Sequence, residues 1–253
     1  MDVRLEEQIR QIVISKIAEL KRPDLFREPL TGYSRADDPR YEELKHWVGE
    51  WVKTPRELFP SAVSVISIFV PFTGTTARSP RYRTHGTPEW GEAYVVINDC
   101  FDLIGKALQQ HLERAGYKSY LIAATHTYNE ADMKSMWSHR SAAVAAGLGE
   151  FGANRMVITP KGSAGRFCSV ITEAPLEPTH SDGVERCGYL RNGSCGLCFK
   201  VCPVGALQPG SINRKACQAE TRKNEKLLAE REGILGADTC GRCISVCPAA
   251  YIE

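Results

Sequence analysis

The chain has 253 residues, 43% hydrophobic and 25% charged, with a formal net charge of +2, the balance of an ordinary globular protein. This length suffices for one large domain or two unequal ones, and the small net charge gives no strong attraction to nucleic acid. The polar start lacks the apolar segment of a secretory signal, and no apolar run could cross a bilayer. We therefore expect a cytoplasmic protein that is not embedded in a membrane.

Apolar periodicity and turn residues divide the first two thirds of the chain into alternating helices and strands. The sequence predicts helices over 5–20, 41–52, 92–114 and 132–146. It predicts strands over 62–70, 118–123, 155–159 and 166–172, the last two paired as a hairpin. The polar segment 73–88 is predicted to be a long, basic surface loop. This alternation indicates an α/β layered domain that extends to residue 178.

Cysteine, glycine and proline dominate the remainder of the chain, where eight of the ten cysteines lie between Cys187 and Cys247. Because the cytosol keeps thiols reduced, such clustering indicates metal binding rather than disulfides. Two runs, 195–203 and 240–248, share the pattern C-x2-C-x3-C-P. They resemble the bacterial two-cluster ferredoxin run, whose last cysteine binds the opposite cluster. The sequence therefore predicts a second unit over 179–253 that binds two [4Fe–4S] clusters.

The first cysteine of the ferredoxin run is missing from both halves, but one upstream cysteine can replace it in each. Each cluster then has four ligands. The first cluster is expected to bind Cys187, Cys195, Cys198 and Cys247, and the second Cys202, Cys217, Cys240 and Cys243. Structural zinc is the alternative, although zinc sites seldom use the C-x3-C-P ending. Cys100 and Cys168 lie outside the pattern and are expected to be small buried residues.

The segment 147–152 matches G-x-G-x-x-G, a pattern typical of dinucleotide-binding loops. That loop follows a strand and begins a helix, whereas this segment follows a predicted helix and precedes a predicted strand. Gly147 is therefore predicted to be a left-handed helix cap, and a nucleotide site is disfavoured.

Several segments resemble the core of the epoxyqueuosine reductases, relatives of the corrinoid iron–sulfur reductive dehalogenases. They are SHRSAAVAAGLGEFGAN at 138–154, ITPKGS at 158–163 and VITE at 170–173, with FPSAVSVI at 59–66 similar to the first strand. The tandem cysteine runs follow in the expected order. The resemblance implies an α/β (α+β) nitroreductase-like cobalamin-binding domain over 1–178 and a ferredoxin-like domain over 179–253. In such enzymes the clusters pass electrons to cobalt, and low-valent cobalt reduces the substrate.

The resemblance to these enzymes implies a short, two-cluster iron–sulfur reductase. It also implies a low-potential electron donor such as ferredoxin or flavodoxin, and tRNA or a corrinoid protein as a further partner. Two alternatives stay open. The chain could keep a corrinoid or a corrinoid protein reduced, or it could be a two-cluster electron carrier without cobalamin. The α/β domain argues against the simple carrier, because ferredoxins need only the cluster unit.

Family members that modify tRNA carry a catalytic Asp shortly before the Gly-Leu-Gly. Met133 matches that position, with Asp132 beside it, and His139 stands where those enzymes usually have Glu. Asp132 and His139 are thus the catalytic candidates, with His126 and Tyr128 as further proton donors. The residues predicted to contact cobalamin are Tyr94, Asn98, His139, Arg140 and Asn154.

Each of these residues also has a structural interpretation. His139 could be a hydrogen-bonded core residue, and Arg140 could cap backbone carbonyls. The proton-donor candidates could simply be loop or surface residues. The basic loop could meet an anionic partner through Arg78, Arg81, Arg83 and His85, but a solvated surface is the default.

Overall fold

The computed structural model describes residues 4–123, 128–129 and 131–253 of the chain. Its helices are α1 (Leu5–Glu19), α2 (Pro39–Val48), α3 (Pro55–Leu58), α4 (Gly74–Arg78), α5 (Pro88–Arg114), α6 (His139–Ala145), α7 (Gly188–Asn192), α8 (Leu197–Lys200), α9 (Arg214–Glu232) and α10 (Arg242–Ser245). None of the helices in this described part is both long and apolar enough to cross a membrane.

The strands are mostly short, and two of them are eight residues long. They are β1 (Leu30–Arg35), β2 (Ser64–Pro71), β3 (Ser119–Leu121), β4 (Tyr128–Asn129), β5 (Lys134–Ser135), β6 (Glu150–Phe151), β7 (Val157–Ile158), β8 (Gly165–Thr172), β9 (Leu207–Gln208) and β10 (Ser211–Ile212). An antiparallel sheet is formed by β1, β2, β8 and β3 in that order. The chain thus has a mixed α/β fold, as the alternation in its sequence predicts.

The central strand β2 is buried along its whole length, so both faces of the sheet must be covered. Ile66, Ile68 and Val70 point to one face, where α1 and α5 pack and form the largest hydrophobic cluster. Val65 and Phe69 point to the other face, which α6 covers. Because side chains alternate along a strand, the apolar run of β2 supplies both layers of the core.

The C-terminal unit packs closely on the α/β unit. The indole Nε1 of Trp90 in α5 donates to Thr239 Oγ1 at 2.9 Å. The amide of Ala164 donates to the Ala250 carbonyl at 2.9 Å, and Arg27 Nη2 donates to the Ile252 carbonyl at 2.7 Å. Backbone and side-chain bonds therefore fix the end of the chain against the sheet.

The predicted helix over 132–146 is wrong in its first half. The helix begins only at His139, and the preceding residues form β4, a turn and β5. The side chains of Asn129 and Asp132 accept hydrogen bonds from the amides of Ala131 and Lys134, which gives the backbone an alternative to a helix. Met133 also has a positive φ of 60°, which is incompatible with a helix.

The predicted hairpin between 155–159 and 166–172 is also wrong. Strand β7 pairs with β6, while β8 pairs with β2 and β3 in the central sheet. The tight turn at Thr159–Gly162 does form, as a bridge of two backbone hydrogen bonds. The long loop over 73–88 contains helix α4, whose N-terminus is capped by the side chain of Thr73.

The prediction for Gly147 is confirmed. It follows α6 with a φ of 67°, and the amide of Leu148 donates to the Ala143 carbonyl at 2.9 Å, which closes the helix end. The glycine-rich segment leads into β6, so it lacks the strand-to-helix context of a dinucleotide loop. Cys100 and Cys168 are buried, as predicted.

Candidate functional site

The eight clustered cysteines over 187–247 are all free thiols. The pKa of Cys247 is raised to about 11, chiefly by burial and also by the nearby charges of Cys187, Cys195 and Cys198. Burial likewise raises the pKa of Cys243 to about 12, with contributions from Cys240, Cys217, Cys198 and Cys202. Thiols that perturb one another in this way are close in space. Their ligation of clusters stays a prediction.

Backbone amides point at several of these sulfurs. The amide of Ala153 donates to Cys187 Sγ at 3.4 Å, and backbone N–H groups offset part of the rise that burial causes in the pKa values of Cys198, Cys240 and Cys247. Among the described residues, no three His, Cys, Asp or Glu side chains converge closely enough to hold a single metal ion. Thiols in sets of four, with backbone amides directed at several of the sulfurs, are a donor set that suits a [4Fe–4S] cluster, which takes one thiolate per iron.

His139 is the first residue of α6, and the side chain of Ser138 caps the N-terminus of that helix. Its Nδ1 lies 2.8 Å from Ser169 Oγ, and its Nε2 lies 3.0 Å from the Ala123 carbonyl. Since that carbonyl can only accept, Nε2 carries the proton and Nδ1 accepts from the serine hydroxyl. Burial lowers the pKa of His139 to about 4, so the ring is neutral at physiological pH.

Arg140 is the second residue of α6. Its Nη1 donates to the Arg155 carbonyl at 2.8 Å. The side chain is exposed to solvent, yet burial lowers the pKa of its guanidinium. A side chain in a concave part of the surface combines close packing with access to water, so we infer a cleft at Arg140. Cys217 and Cys243 are close enough that their charges raise the same pKa, so the cleft and these cysteines adjoin.

Tyr94 and Asn98 lie one turn apart on α5, and Arg166 of β8 joins them. The Arg166 guanidinium lies 4.4 Å from the centre of the Tyr94 ring, and its Nε donates to Asn98 Oδ1 at 3.2 Å. The charge of Arg166 also lowers the pKa values of His139 and Arg140. Sequence reasoning missed Arg166, although a long cation in an otherwise apolar strand signals a partner or a cavity.

The remaining candidates lie at other places. Asn154 is buried, and its Nδ2 donates to the Cys243 carbonyl at 3.2 Å, so it links the 150–158 segment to the second cysteine run. Asp132 is exposed on the turn before β5, where its Oδ2 lies 3.3 Å from Lys134 Nζ. The hydroxyl of Tyr128 accepts a hydrogen bond from Gln218 Nε2 of α9 at 2.5 Å. His126 lies outside the described residues.

The basic segment 78–85 borders a cavity of about 640 Å³ at the N-terminus of α5. Arg81 donates to the carbonyls of Ser245 and Val246, and the guanidinium of Arg78 lies 5.1 Å from the centre of the Tyr251 ring. Two of the four basic side chains singled out in this segment thus contact the C-terminal unit.

No family model matches the chain. The chain is 30% identical over 173 residues to the epoxyqueuosine reductase of Bacillus subtilis, which covers 65% of this chain and 40% of that protein. It is 27% identical over 229 residues to the epoxyqueuosine reductase of Bacillus cereus, with 85% and 53% covered. The chain thus spans about half, or less, of the length of these curated relatives.

Solved structures share the fold. The epoxyqueuosine reductase of Streptococcus thermophilus aligns with a TM-score of 0.59 at 17% identity, covering 99% of this chain and 68% of that one. An epoxyqueuosine reductase with an epoxyqueuosine-modified tRNA-Tyr stem loop aligns with a TM-score of 0.53 at 21% identity, covering 96% and 66%. The reductive dehalogenase NpRdhA aligns with a TM-score of 0.50 at 16% identity, covering 71% and 23%. The resemblance indicated by the sequence motifs is confirmed: the chain is similar in sequence and in fold to epoxyqueuosine reductases.

Proposed function

We propose that the chain is an iron–sulfur oxidoreductase resembling epoxyqueuosine reductase, in which two [4Fe–4S] clusters pass electrons to a cobalamin that reduces the substrate. Arg140 supports the proposal, because this residue lies at the inferred cleft and the charges of Cys217 and Cys243 act on its guanidinium. Electrons held by the second cysteine group would therefore lie beside the place where a substrate could enter. In this proposal, residues 1–178 form the nitroreductase-like cobalamin-binding domain and residues 179–253 the ferredoxin-like domain.

The cysteines would bind the clusters in the crossed arrangement expected from the sequence. Cys187, Cys195, Cys198 and Cys247 would hold the first, and Cys202, Cys217, Cys240 and Cys243 the second. Thiols with pKa values as high as those of Cys243 and Cys247 are protonated at neutral pH. Iron must therefore displace these protons, and cluster assembly should release them.

The cleft residues would hold and orient the cobalamin, whose low-valent cobalt would supply the reducing chemistry. Arg140 and Arg166 offer cationic donors, and Tyr94 and Asn98 add a ring face and an amide. Amide and phosphate groups are what such donors bind, and corrinoids carry both. This donor set supports the fit.

Asp132 would deliver the proton that the reduced substrate requires, and Tyr128 is the next candidate. Both belong to the segment that precedes α6, and Arg214 of α9 binds the same segment by donating to the Met133 carbonyl at 3.3 Å. His139 suits this role less well, because its ring is neutral and its proton already binds the Ala123 carbonyl. We therefore assign His139 to shaping the cleft.

The proposed substrate is epoxyqueuosine in tRNA, by analogy with the relative that was solved with a modified stem loop. The proposed reductant is a low-potential carrier such as ferredoxin or flavodoxin. The test is to reconstitute the protein anaerobically and to record its visible spectrum before and after cobalamin is added. Turnover of epoxyqueuosine-containing tRNA is then measured. We expect about eight irons and eight sulfides per chain, a cobalamin-dependent spectral change and queuosine formation.

The outcomes of this test separate the alternatives. Cobalamin binding without tRNA turnover would favour a redox partner that reduces a corrinoid or a corrinoid protein. Clusters without any cobalamin effect would leave an electron carrier. Zinc in place of iron would contradict all three functions.

A further inference from the structure

The two cysteine runs differ at three of their nine positions, and one of these differences places a charge in the protein interior. The residue before the second cysteine is Leu197 in the first run and Arg242 in the second. Leu197 is 39% exposed, whereas Arg242 is only 4% exposed. Repeat-related loops thus place an apolar residue near solvent in one half and a buried cation in the other.

Arg242 is held by a single buried carboxylate. Its Nη2 lies 3.3 Å from Glu220 Oε1 of α9, and both side chains are at least nine-tenths buried. The contact is an ion pair without hydrogen-bond geometry. Within the described residues, Arg242 Nε and Nη2 are both left without a hydrogen-bond acceptor. Two cationic N–H groups are therefore buried with unused hydrogen-bonding capacity.

Stability does not explain this pair. Replacing a buried ion pair with apolar residues is often neutral or stabilising, because removing two charges from water is costly. Leucine occupies the matching position of the first run, where the preceding Gly196 has a φ of 171°. Gly241 and Trp90 account for the loop conformation, since Gly241 has a φ of 74° and a Cβ there would lie 2.6 Å from the Trp90 ring. The cation is thus not needed to form the loop.

The charge of Arg242 acts on the second cysteine group. Arg242 stands between Cys240 and Cys243 in the loop, and the charges of Arg242 and Glu220 both act on Cys240. The same groups would act on a cluster held by Cys240 and Cys243. Reduction adds a negative charge to a cluster, and a buried cation favours that charge more strongly than an exposed one does. Sulfur atoms of such a cluster could also accept hydrogen bonds from Arg242 Nε and Nη2, which have no other acceptor among the described residues.

We propose that Arg242, positioned by Glu220, raises the reduction potential of the cluster held by Cys202, Cys217, Cys240 and Cys243, so that this cluster is reduced first. The inference rests on the proposed iron–sulfur function. Since Arg140 places this cluster beside the cleft, electrons would collect next to the site of chemistry. Arg242 would act on the cluster through its charge and would not contact the substrate.

The test is a redox titration of the reconstituted protein with dithionite, monitored by electron paramagnetic resonance. Two one-electron waves are expected. Glu220→Gln removes the compensating charge and should raise the potential of one wave. The double variant Arg242→Leu/Glu220→Gln removes the cation without leaving a buried carboxylate unpaired and should lower the potential of the same wave. Each change should alter the reduction equilibrium at least about tenfold, which is 59 mV for one electron.

Two controls accompany these variants. Arg242→Lys keeps the charge and should change the equilibrium less than the double variant does. Leu197→Gln alters the matching exposed position and should leave the responding wave unmoved. A purely structural role could not shift one wave in opposite directions in the two test variants.

Shifts in the same direction, equal shifts of both waves, or a response in the lower-potential wave would overturn the proposal. If the double variant does not retain its irons, the Glu220→Gln variant provides the test by itself. A reduction potential that does not rise in this variant would refute the inference. Failure of the underlying function is distinguishable, because the unaltered protein would then lack about eight irons before any titration.

Discussion

At the scale of single residues, the structure shows that the two catalytic candidates, Asp132 and His139, lie in different environments. Asp132 and His139 are seven positions apart and were predicted to share one helix. Instead, Asp132 lies on an exposed turn paired with Lys134, and His139 is a neutral ring bound at both nitrogens. The segment before His139 is not helical because backbone amides donate to the side chains of Asn129 and Asp132. Hydrophobic periodicity carries no information about such local hydrogen bonds.

Asp132→Asn tests the proposed proton donor. The amide keeps the size of the carboxyl but cannot deliver the proton, so turnover of epoxyqueuosine-containing tRNA should fall about 10²–10⁴-fold. Iron content and cobalamin binding should not change. Asp37→Asn serves as the control, since Asp37 is also an exposed carboxylate, paired with Arg35 at 2.8 Å. Unchanged turnover in Asp132→Asn would move the role to Tyr128 or His126.

Crossed ligation has its own test. Cys247→Ala should disturb the cluster held by Cys195 and Cys198, and Cys202→Ala should disturb the one held by Cys240 and Cys243. The electrostatic neighbours of Cys247 and Cys243 motivate this expectation. Iron analysis and electron paramagnetic resonance of each variant provide the measurement, with Cys100→Ala as a control outside both groups. Damage confined to the mutated run would argue against crossing.

At the scale of elements, long periodic segments were predictable and short ones were not. The helix α5 and the strand β2 follow from apolar patterning, because each buries a wide face. The pairing of β8 with β2 and β3 was not predictable, since the partner of a strand is set by contacts distant in sequence. The eight clustered cysteines were visible in their spacing alone. Arg166 of the cleft was missed because its partners, Tyr94 and Asn98, lie about 70 positions earlier in the sequence.

The cap of α6 gives a prediction at this scale. Gly147→Ala should lower the free energy of unfolding, because a left-handed residue with a Cβ is strained and that Cβ would lie 2.5 Å from the Thr179 carbonyl oxygen. Gly116→Ala is a matched control. Gly116 ends α5 with a φ of 87°, and nothing lies within 4 Å of an added Cβ.

The two variants share the backbone strain and differ in the contact. Urea unfolding should therefore show Gly147→Ala to be less stable than Gly116→Ala by about 1–3 kcal/mol, the usual cost of overpacking. Equal losses would mean that the segment around Thr179 moves aside without cost.

At the scale of the whole molecule, cobalamin binding should couple to folding. A ligand that binds only the native state stabilises it by mass action, by about 2.7 kcal/mol at a hundredfold excess over its dissociation constant. The melting temperature of the reconstituted protein should therefore rise with cobalamin. Arg140→Ala should reduce the rise, and Arg114→Ala, on the exposed end of α5, should not. An unchanged melting temperature at saturating cobalamin would contradict a cobalamin site in the native state.

The seam between the two units is fixed by bonds from both sides. Trp90 binds Thr239, Ala164 binds Ala250, and Arg27 binds the Ile252 carbonyl while its guanidinium lies 4.3 Å from the Tyr251 ring centre. The rate of electron tunnelling falls exponentially with distance. If the two units moved relative to each other, transfer would occur only in the rare conformations in which they are close. If the proposed clusters and cobalamin are bound, a joint fixed in this way would hold the gap between them at one value. The transfer rate would then be set by driving force and reorganisation, without a gating motion.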